Sequence, residues 1–385
     1  MSDALTPKPR RFNLTDEQKL SWLQLYRSQN VGPVTFRDLI SHFGAADAAI
    51  QAMPELAANG GAARKIKICN REDAEREFYT IKEVGAELIA LGEPNYPDLL
   101  RTHDHAPPLI CVKGNVTVLS RPMVSIVGSR NASIAGMKLA ERFAKELGEA
   151  GYVCVSGLAR GIDTEVHKGS LKSGTLAVMA SGIDIIAPEE NTTLARNILD
   201  NEGALITEMP VSWLPRAQDF PRRNRIVAGI SNAVLVIEAA KRSGSLITAR
   251  MAAEIGRDVL AVPGSPLDPR SEGTNGLIRN GATLVSSTEQ ILEAMSPMDD
   301  TQQSFVYDVR ENDAEVDAYV ESRKTPNVRI EESVREKIYA ALSANPVEID
   351  DIIRFCDADP SEVQLILLEL ALAGRIERHF GNRVS

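Results

Sequence analysis

Val124-Ser125-Ile126-Val127-Gly128-Ser129-Arg130 is an apolar run that stops at glycine, serine and arginine. A run of this length, closed by a glycine turn and followed by helical spacing, predicts a buried parallel strand feeding a helix. The pattern returns at 152–157, 175–182, 204–208, 233–238 and 259–264. Apolar strands alternating with helical segments predict an α/β fold built on a doubly wound, mostly parallel sheet. Ligands of such sheets gather at the carboxyl ends of the strands. Here those ends carry glycine, serine and arginine, the composition of an anion site.

Four constellations stand at strand ends. In the first, Gly128 permits a tight turn, and the Ser129 hydroxyl and Arg130 fork suit phosphate. The second, Ser156-Gly157-Leu158-Ala159-Arg160-Gly161-Ile162-Asp163, offers a hydroxyl, amides at a helix start and a further arginine. Asp163 reads as a helix cap and His167, one turn on, as a packed residue. The third is the densest basic cluster, Phe220-Pro221-Arg222-Arg223-Asn224-Arg225. Arginines pair with phosphates, and a ring can stack an unpaired base of any sequence. Three arginines at a helix start oppose the helix dipole, a cost that an external anion would offset. The fourth runs from Lys241 and Arg242 into Ser243-Gly244-Ser245, again a phosphate-receptive helix start. Four such ends on one sheet edge predict an extended polyanion, and the aromatic residue points to a single strand.

Composition narrows the class. The 385 residues are 43% hydrophobic and 25% charged, ordinary for a soluble protein of two or three domains. Four scattered cysteines without a CxxC fit a reducing cytoplasm. The N-terminus has no apolar core of a signal peptide, and no run reaches membrane-spanning length. The net charge of −10 is uneven: 121–297 is balanced, and 298–385 carries almost all of the excess. An anion site in the centre must therefore come from local clustering. Gly169 to Thr175 has the glycine spacing of a Walker A loop but lacks its lysine and precedes a strand. No acidic cluster has the spacing of a two-metal centre. His103 and His105 read as solvent-exposed residues rather than metal ligands. No cofactor is expected.

The organisation predicted is a disordered tail (1–13), a helical domain (14–80), the sheet domain (81–297), an acidic linker (298–328) and a C-terminal module (329–385). In the helical domain, Asn30-Val31-Gly32-Pro33 sits between two amphipathic patterns. Two readings stay open for it: a helix-hairpin-helix receiving a DNA phosphate, or a plain helical bundle. The C-terminal module spells three helices and a strand-turn-strand, a winged-helix pattern. Its third helix has no Lys or Arg between Cys356 and Gly374. A duplex reader carries a basic recognition helix, so this module reads as a protein-contact or regulatory element.

Taken in order, 126–130, 155–163, 220–226, Ser243-Gly244-Ser245-Leu246-Ile247-Thr248-Ala249 and Val262-Pro263-Gly264 resemble the DNA processing protein A (DprA, or Smf) family. The resemblance covers roughly 85–297 closely and the flanks by architecture. It implies an extended Rossmann-like domain that dimerises, binds single-stranded DNA and loads the RecA recombinase during natural transformation, without catalysis. It also implies DNA contacts at Arg130, Phe220 and the arginines after it. The upstream lysine of some members has no clear match, since Arg216 is near and Ala217 is small. The rival is a nucleotide-phosphate-binding enzyme of the lysine-decarboxylase-like group, a phosphoribohydrolase. Against it, the position three after Thr248 is Met251 and not the required glutamate.

Overall fold

The six apolar runs form six neighbouring parallel strands in one sheet. They are β3 (Met123–Val127), β4 (Val153–Ser156), β5 (Thr175–Val178), β6 (Ala204–Thr207), β7 (Ala233–Val236) and β8 (Asp258–Ala261). The structure, a computed structural model, describes residues 12–296 and 332–385. Most of the tail expected over 1–13, and all of the acidic linker expected over 298–328, lie outside them. Strands β3 to β7 are buried at every position, because α5 (Ile134–Glu149), α6 (Ile162–Ser170), α7 (Thr192–Asp200), α8 (Asp219–Gly229) and α9 (Ser245–Glu254) connect them over the sheet. That burial on both faces is why the runs are continuous rather than alternating. Pairing can stop short of the apolar run: Met179 and Ala180 stay buried after β5 has ended. Apolarity marks burial, and pairing ends sooner.

The sheet runs β1-β2-β6-β5-β4-β3-β7-β8-β9, with β1 (Ala86–Ala90) and β2 (Leu109–Gly114) antiparallel at one edge. At the other edge is β9 (Thr283–Leu284), flanked by α10 (Glu272–Arg279) and α11 (Thr288–Met295). From β3 the chain steps outward through β4, β5 and β6, then returns to the far side of β3 as β7. The order therefore reverses between β3 and β7. The crevice beyond their carboxyl ends is where open α/β sheets bind ligands.

The chain divides into two units, the boundary falling between Arg76 and Glu77 inside α4 (Arg71–Glu83). One is the sheet unit just described. The other joins the two ends of the chain. Its N-terminal part holds α1 (Asp16–Tyr26), α2 (Pro33–Phe43) and α3 (Ala46–Asn59) around Trp22, Leu23, Phe36 and Leu39. Thr15 and Gln18 close a capping box at α1, and Pro33 occupies the first turn of α2. Its C-terminal part holds α12 (Glu332–Ala341), α13 (Ile349–Cys356), α14 (Pro360–Leu372) and a small sheet of β10 (Val347–Glu348), β12 (Arg383–Val384) and β11 (Arg378–His379). This is the winged-helix pattern read from the sequence.

The two parts, separate domains in the sequence reading, pack as one body. Helix α14 is buried all round its second half, Ile366 to Leu372, a property of helices with protein on every side. Gly60 abuts it: a Cβ there would lie 2.1 Å from the Glu369 carbonyl oxygen. Arg335 bridges Glu369 at 2.7 Å and also donates to the Asn59 carbonyl. Arg378 pairs with Asp38 at 3.0 Å, and Asn30 Nδ2 donates to the Leu372 carbonyl. The third helix, which duplex readers insert into a groove, is thus covered by the chain's own N-terminal helices. Gly60→Val should wedge the two parts apart and cost about 1–3 kcal/mol, as overpacking does. Faster proteolysis of the C-terminal part in the variant would register it, and an unchanged digestion pattern would refute the contact.

Candidate nucleic-acid interface

At the switch point, β3 ends in Gly128-Ser129-Arg130. Gly128 is required for close packing: a Cβ would stand 2.6 Å from Ile162 Cγ1. The loop is pinned as Ile162 N–H donates to the Ser129 carbonyl at 3.2 Å, and Asn131 N–H donates to Ser129 Oγ at 3.1 Å. Arg130 is exposed, has no carboxylate partner among the described residues, and sets its Cζ 5.0 Å from the Phe220 ring centroid. Phe220 is the second residue of α8. The first and third constellations therefore meet in one place, a free guanidinium over a half-buried ring.

The remaining arginines of the third constellation depart from expectation. Arg225 is 5% exposed and bound to Glu208 and the His105 carbonyl. Arg223 is also buried: it donates to the Val178 carbonyl at 2.6 Å and lies against Gly157, where a Cβ would be 1.9 Å from Nη1. Burial lowers Arg223 to about 10, against the pull of Asp163, so it stays charged at neutral pH. Arg222 is half-exposed and pairs with Glu208 at 3.1 Å. An external anion is therefore not what offsets this cluster. Glu208 does so, and Asp219 stands in the first turn of α8, where a carboxylate complements the helix dipole. Hydrogen bonds from Arg216 and Trp213 outweigh burial and hold the Asp219 carboxyl below its ordinary range.

The second constellation is closed on itself. Ser156 is buried, and its hydroxyl donates to the Ile126 carbonyl at 2.7 Å. The Gly157 and Ala159 amides, expected to face a ligand, donate to Asp163 Oδ2 at 3.1 and 3.3 Å. Arg160 is exposed but forms a bidentate pair with Glu190, both bonds 2.6 Å. Asp163 thus bonds the amides ahead of its own helix, and His167 is fully buried, as read from the sequence. His103, expected at the surface, is 7% exposed, because it packs against Gly229.

Across the switch point, Glu238 follows β7. Its carboxylate accepts Ser133 N–H at 2.9 Å and the Ser133 hydroxyl, and it lies where a Cβ on Gly136 would fall. The start of α5, the place at which a Rossmann sheet receives a nucleotide phosphate, is filled by a glutamate of the chain itself. The next residues are open. Lys241 and Arg242 are exposed without an acidic partner among the described residues, and Gly244 has free space about its Cα. Ser243 Oγ and Ser245 Oγ share a hydrogen bond of 2.7 Å. Asn224 Nδ2 donates to the Gly244 carbonyl at 3.4 Å, which ties α8 to this loop. The exposed cations of the edge are accordingly Arg130, Lys241 and Arg242, with Arg222 and Arg160 already paired.

Three residues that shape this edge were given no role in the sequence reading: Glu208, Glu238 and Trp213. Each acts on a residue distant in sequence or through a loop with no periodicity. Among the described residues no group of three or more His, Cys, Asp or Glu is placed to hold a metal ion, and no helix is long and apolar enough to cross a membrane.

Comparison with known proteins gives this geometry a context. Residues 87–296 match the family model described as DNA recombination-mediator protein A. Residues 16–79 match a DprA-like N-terminal HHH domain and 322–382 a DprA winged helix domain. Protein Smf of Synechocystis is 30% identical over 396 residues, covering 96% of this chain and 99% of that protein. DNA processing protein DprA of Streptococcus pneumoniae is 44% identical over 200 residues, 51% of this chain and 70% of its own. The solved structure of the pneumococcal protein superposes with a TM-score of 0.58 at 31% identity, covering 73% of this chain and 98% of that one. A Helicobacter pylori DNA processing protein A, whose structure is described as showing a single-stranded DNA binding mode, gives a TM-score of 0.50 at 25% identity over 55% of this chain and 95% of that one.

Proposed function

The chain belongs to the DNA recombination-mediator protein A family, and from that premise we propose that it is a non-enzymatic mediator that binds single-stranded DNA. One observation carries the reading: an unpaired Arg130 guanidinium lies over the Phe220 ring at the switch point of the sheet. A strand laid there sets phosphates against Arg130, Lys241 and Arg242 and the open Gly244 loop, and a base against the aromatic pair. Duplex DNA offers no free base face to this arrangement. The filled start of α5 argues against a mononucleotide substrate, since Glu238 stands where its phosphate would sit. On this reading the protein acts in the cytoplasm as a dimer through its sheet unit. It hands the strand to a RecA-type recombinase during natural transformation or recombination.

The test is a salt titration of oligonucleotide binding. For single strands the slope of log K against log salt is about −0.7 per phosphate contact. Arg130→Ala should flatten the slope by about 0.7 and weaken binding about tenfold, for every sequence alike. An Arg130→Ala protein with wild-type affinity and slope would remove the basis of the proposal. Filament assembly by a recombinase on protein-coated single strands, with and without this chain, tests the loading step.

A further inference from the structure

The Arg130–Phe220 pair has a second copy in its neighbourhood. Seven residues before Phe220, Trp213 carries the guanidinium of Arg216 over its ring, Cζ 4.3 Å from the centroid. One side chain ties this second pair to the start of α8, which carries Phe220. Asp219, next to Phe220, accepts Trp213 Nε1–H at 2.9 Å and both the backbone and side-chain N–H groups of Arg216. Unlike the buried Arg223 and Arg225, the Arg216 side chain is 54% exposed. Leu214 projects beside it at 70% exposure.

The loop is held in this shape from behind. Ser212, at a positive φ of 61°, binds Asp184 through its amide at 2.7 Å and its hydroxyl at 2.9 Å. Gly182 N–H donates to the Trp213 carbonyl at 3.0 Å. A non-glycine residue in the left-handed region costs free energy that the surroundings must offset. The result is an apolar and cationic ledge whose backbone is pinned by hydrogen bonds on the side of Asp184 and Gly182.

We propose that Arg216 on Trp213, flanked by Leu214, is a second stacking position for an unpaired nucleobase of the same strand that engages Arg130 and Phe220. The inference rests on the single-strand reading above. A guanidinium plane with one face on an indole presents the other face to a base, and Arg planes take bases as readily as rings do. Asp219, adjacent to Phe220 in the chain, anchors the second platform to the helix start that carries the first.

The experiment uses the full chain with Trp22→Phe. Trp22 is 1% exposed in the other unit, and the only other tryptophan is Trp213. Oligothymidylates of graded length and an abasic strand of equal length are titrated, read by Trp213 emission and by a salt-controlled binding assay. Emission should change only with strands longer than those that saturate the Arg130 platform, and not with the abasic strand. Arg216→Ala and Arg216→Lys should both weaken long-strand binding about tenfold, within the range for one stacked base. Lysine keeps the charge and loses the plane, so wild-type affinity in Arg216→Lys would overturn the stacking role and leave a phosphate contact only. Unperturbed emission on saturation with long strands would overturn the site itself. Trp213→Leu, checked for folding by thermal unfolding, should weaken long-strand binding to the same degree while leaving the arginine in place. Should Arg130→Ala weaken binding while every residue 213–216 variant binds normally, this inference alone fails. Should no oligonucleotide bind at all, the underlying reading fails first.

Discussion

Replacing Glu208 by alanine is expected to destabilise the sheet unit by about 3–5 kcal/mol, the cost of removing one partner from a buried ion pair. Glu208 is 3% exposed and bridges Arg225 and Arg222. Its loss leaves Arg225, 5% exposed, with only a backbone carbonyl to answer a full charge. Arg225→Ala should cost less, because Glu208 retains Arg222, which is 41% exposed and can draw water to the carboxylate. Glu208→Gln should fall between them, keeping acceptor geometry without the charge. Denaturant titrations followed by Trp213 emission in the Trp22→Phe background would rank the three. A Glu208→Ala protein within 1 kcal/mol of wild type would mean that the pair is solvated in solution and that Arg225 is free to meet DNA.

That ranking governs how the arginine cluster is dissected. A variant at Arg223 or Arg225 that loses DNA binding has two explanations, a lost contact and a softened fold. Only the stability measurement separates them. Arg130 has no such ambiguity, since its guanidinium touches a ring and solvent rather than a buried acid.

The central strands were legible because β3 to β7 are sealed on both faces, and burial writes itself as continuous apolarity. The glycine and arginine at the end of β3 were legible for the same reason: they mark the place where the apolar run stops. What escaped was pairing at a distance. Glu208 and Arg225 are 17 residues apart, and nothing in local composition says that the acid after β6 faces the helix that follows. The amides of Gly157 and Ala159 read as free because their acceptor, Asp163, also reads as an ordinary cap. Glu238 and Ser133 lie 105 residues apart, joined only because the chain reverses direction between β3 and β7. Density of arginine was therefore a poor guide to exposure. Among the described strand-end candidates, the cations that face solvent without an acidic partner are the sparse ones, Arg130, Lys241 and Arg242, whereas the dense cluster builds the wall behind them. The winged-helix pattern was legible from its helices. The missing basic residues in α14 also had a structural cause, since that helix is packed between protein surfaces.

His167 should make the sheet unit acid-labile in a defined window. Its ring is fully buried, Nδ1 is 2.8 Å from Thr175 Oγ1, and Nε2 has no hydrogen-bond partner. Burial first, and then the nearby Arg223 charge, lower it to about 3 from an ordinary 6.5. Below pH 6.5 the unfolded chain takes up a proton that the folded chain refuses. Stability contributed by the neutral ring is thus complete above about pH 6.5 and is lost as pH falls toward 3, at up to about 1.4 kcal/mol per pH unit. Asp163 acts with the opposite sign. Burial raises its pKa although Arg223 and the Ala159 and Gly157 amides pull it down. A raised acid stabilises most below its unfolded value, and that contribution is lost as pH rises through the folded one. Where the two windows overlap they partly cancel, so wild-type stability should fall steeply only at the acid end. His167→Asn, which can still reach Thr175, removes one of the two opposed terms. Its stability should fall less than that of wild type as pH drops from 6.5 to 3, and where the two windows overlapped the uncancelled Asp163 contribution should make it rise, with an offset for the smaller side chain that does not vary with pH. Parallel curves for the two proteins across that range would mean that His167 is protonated within the folded unit despite the Arg223 charge near it.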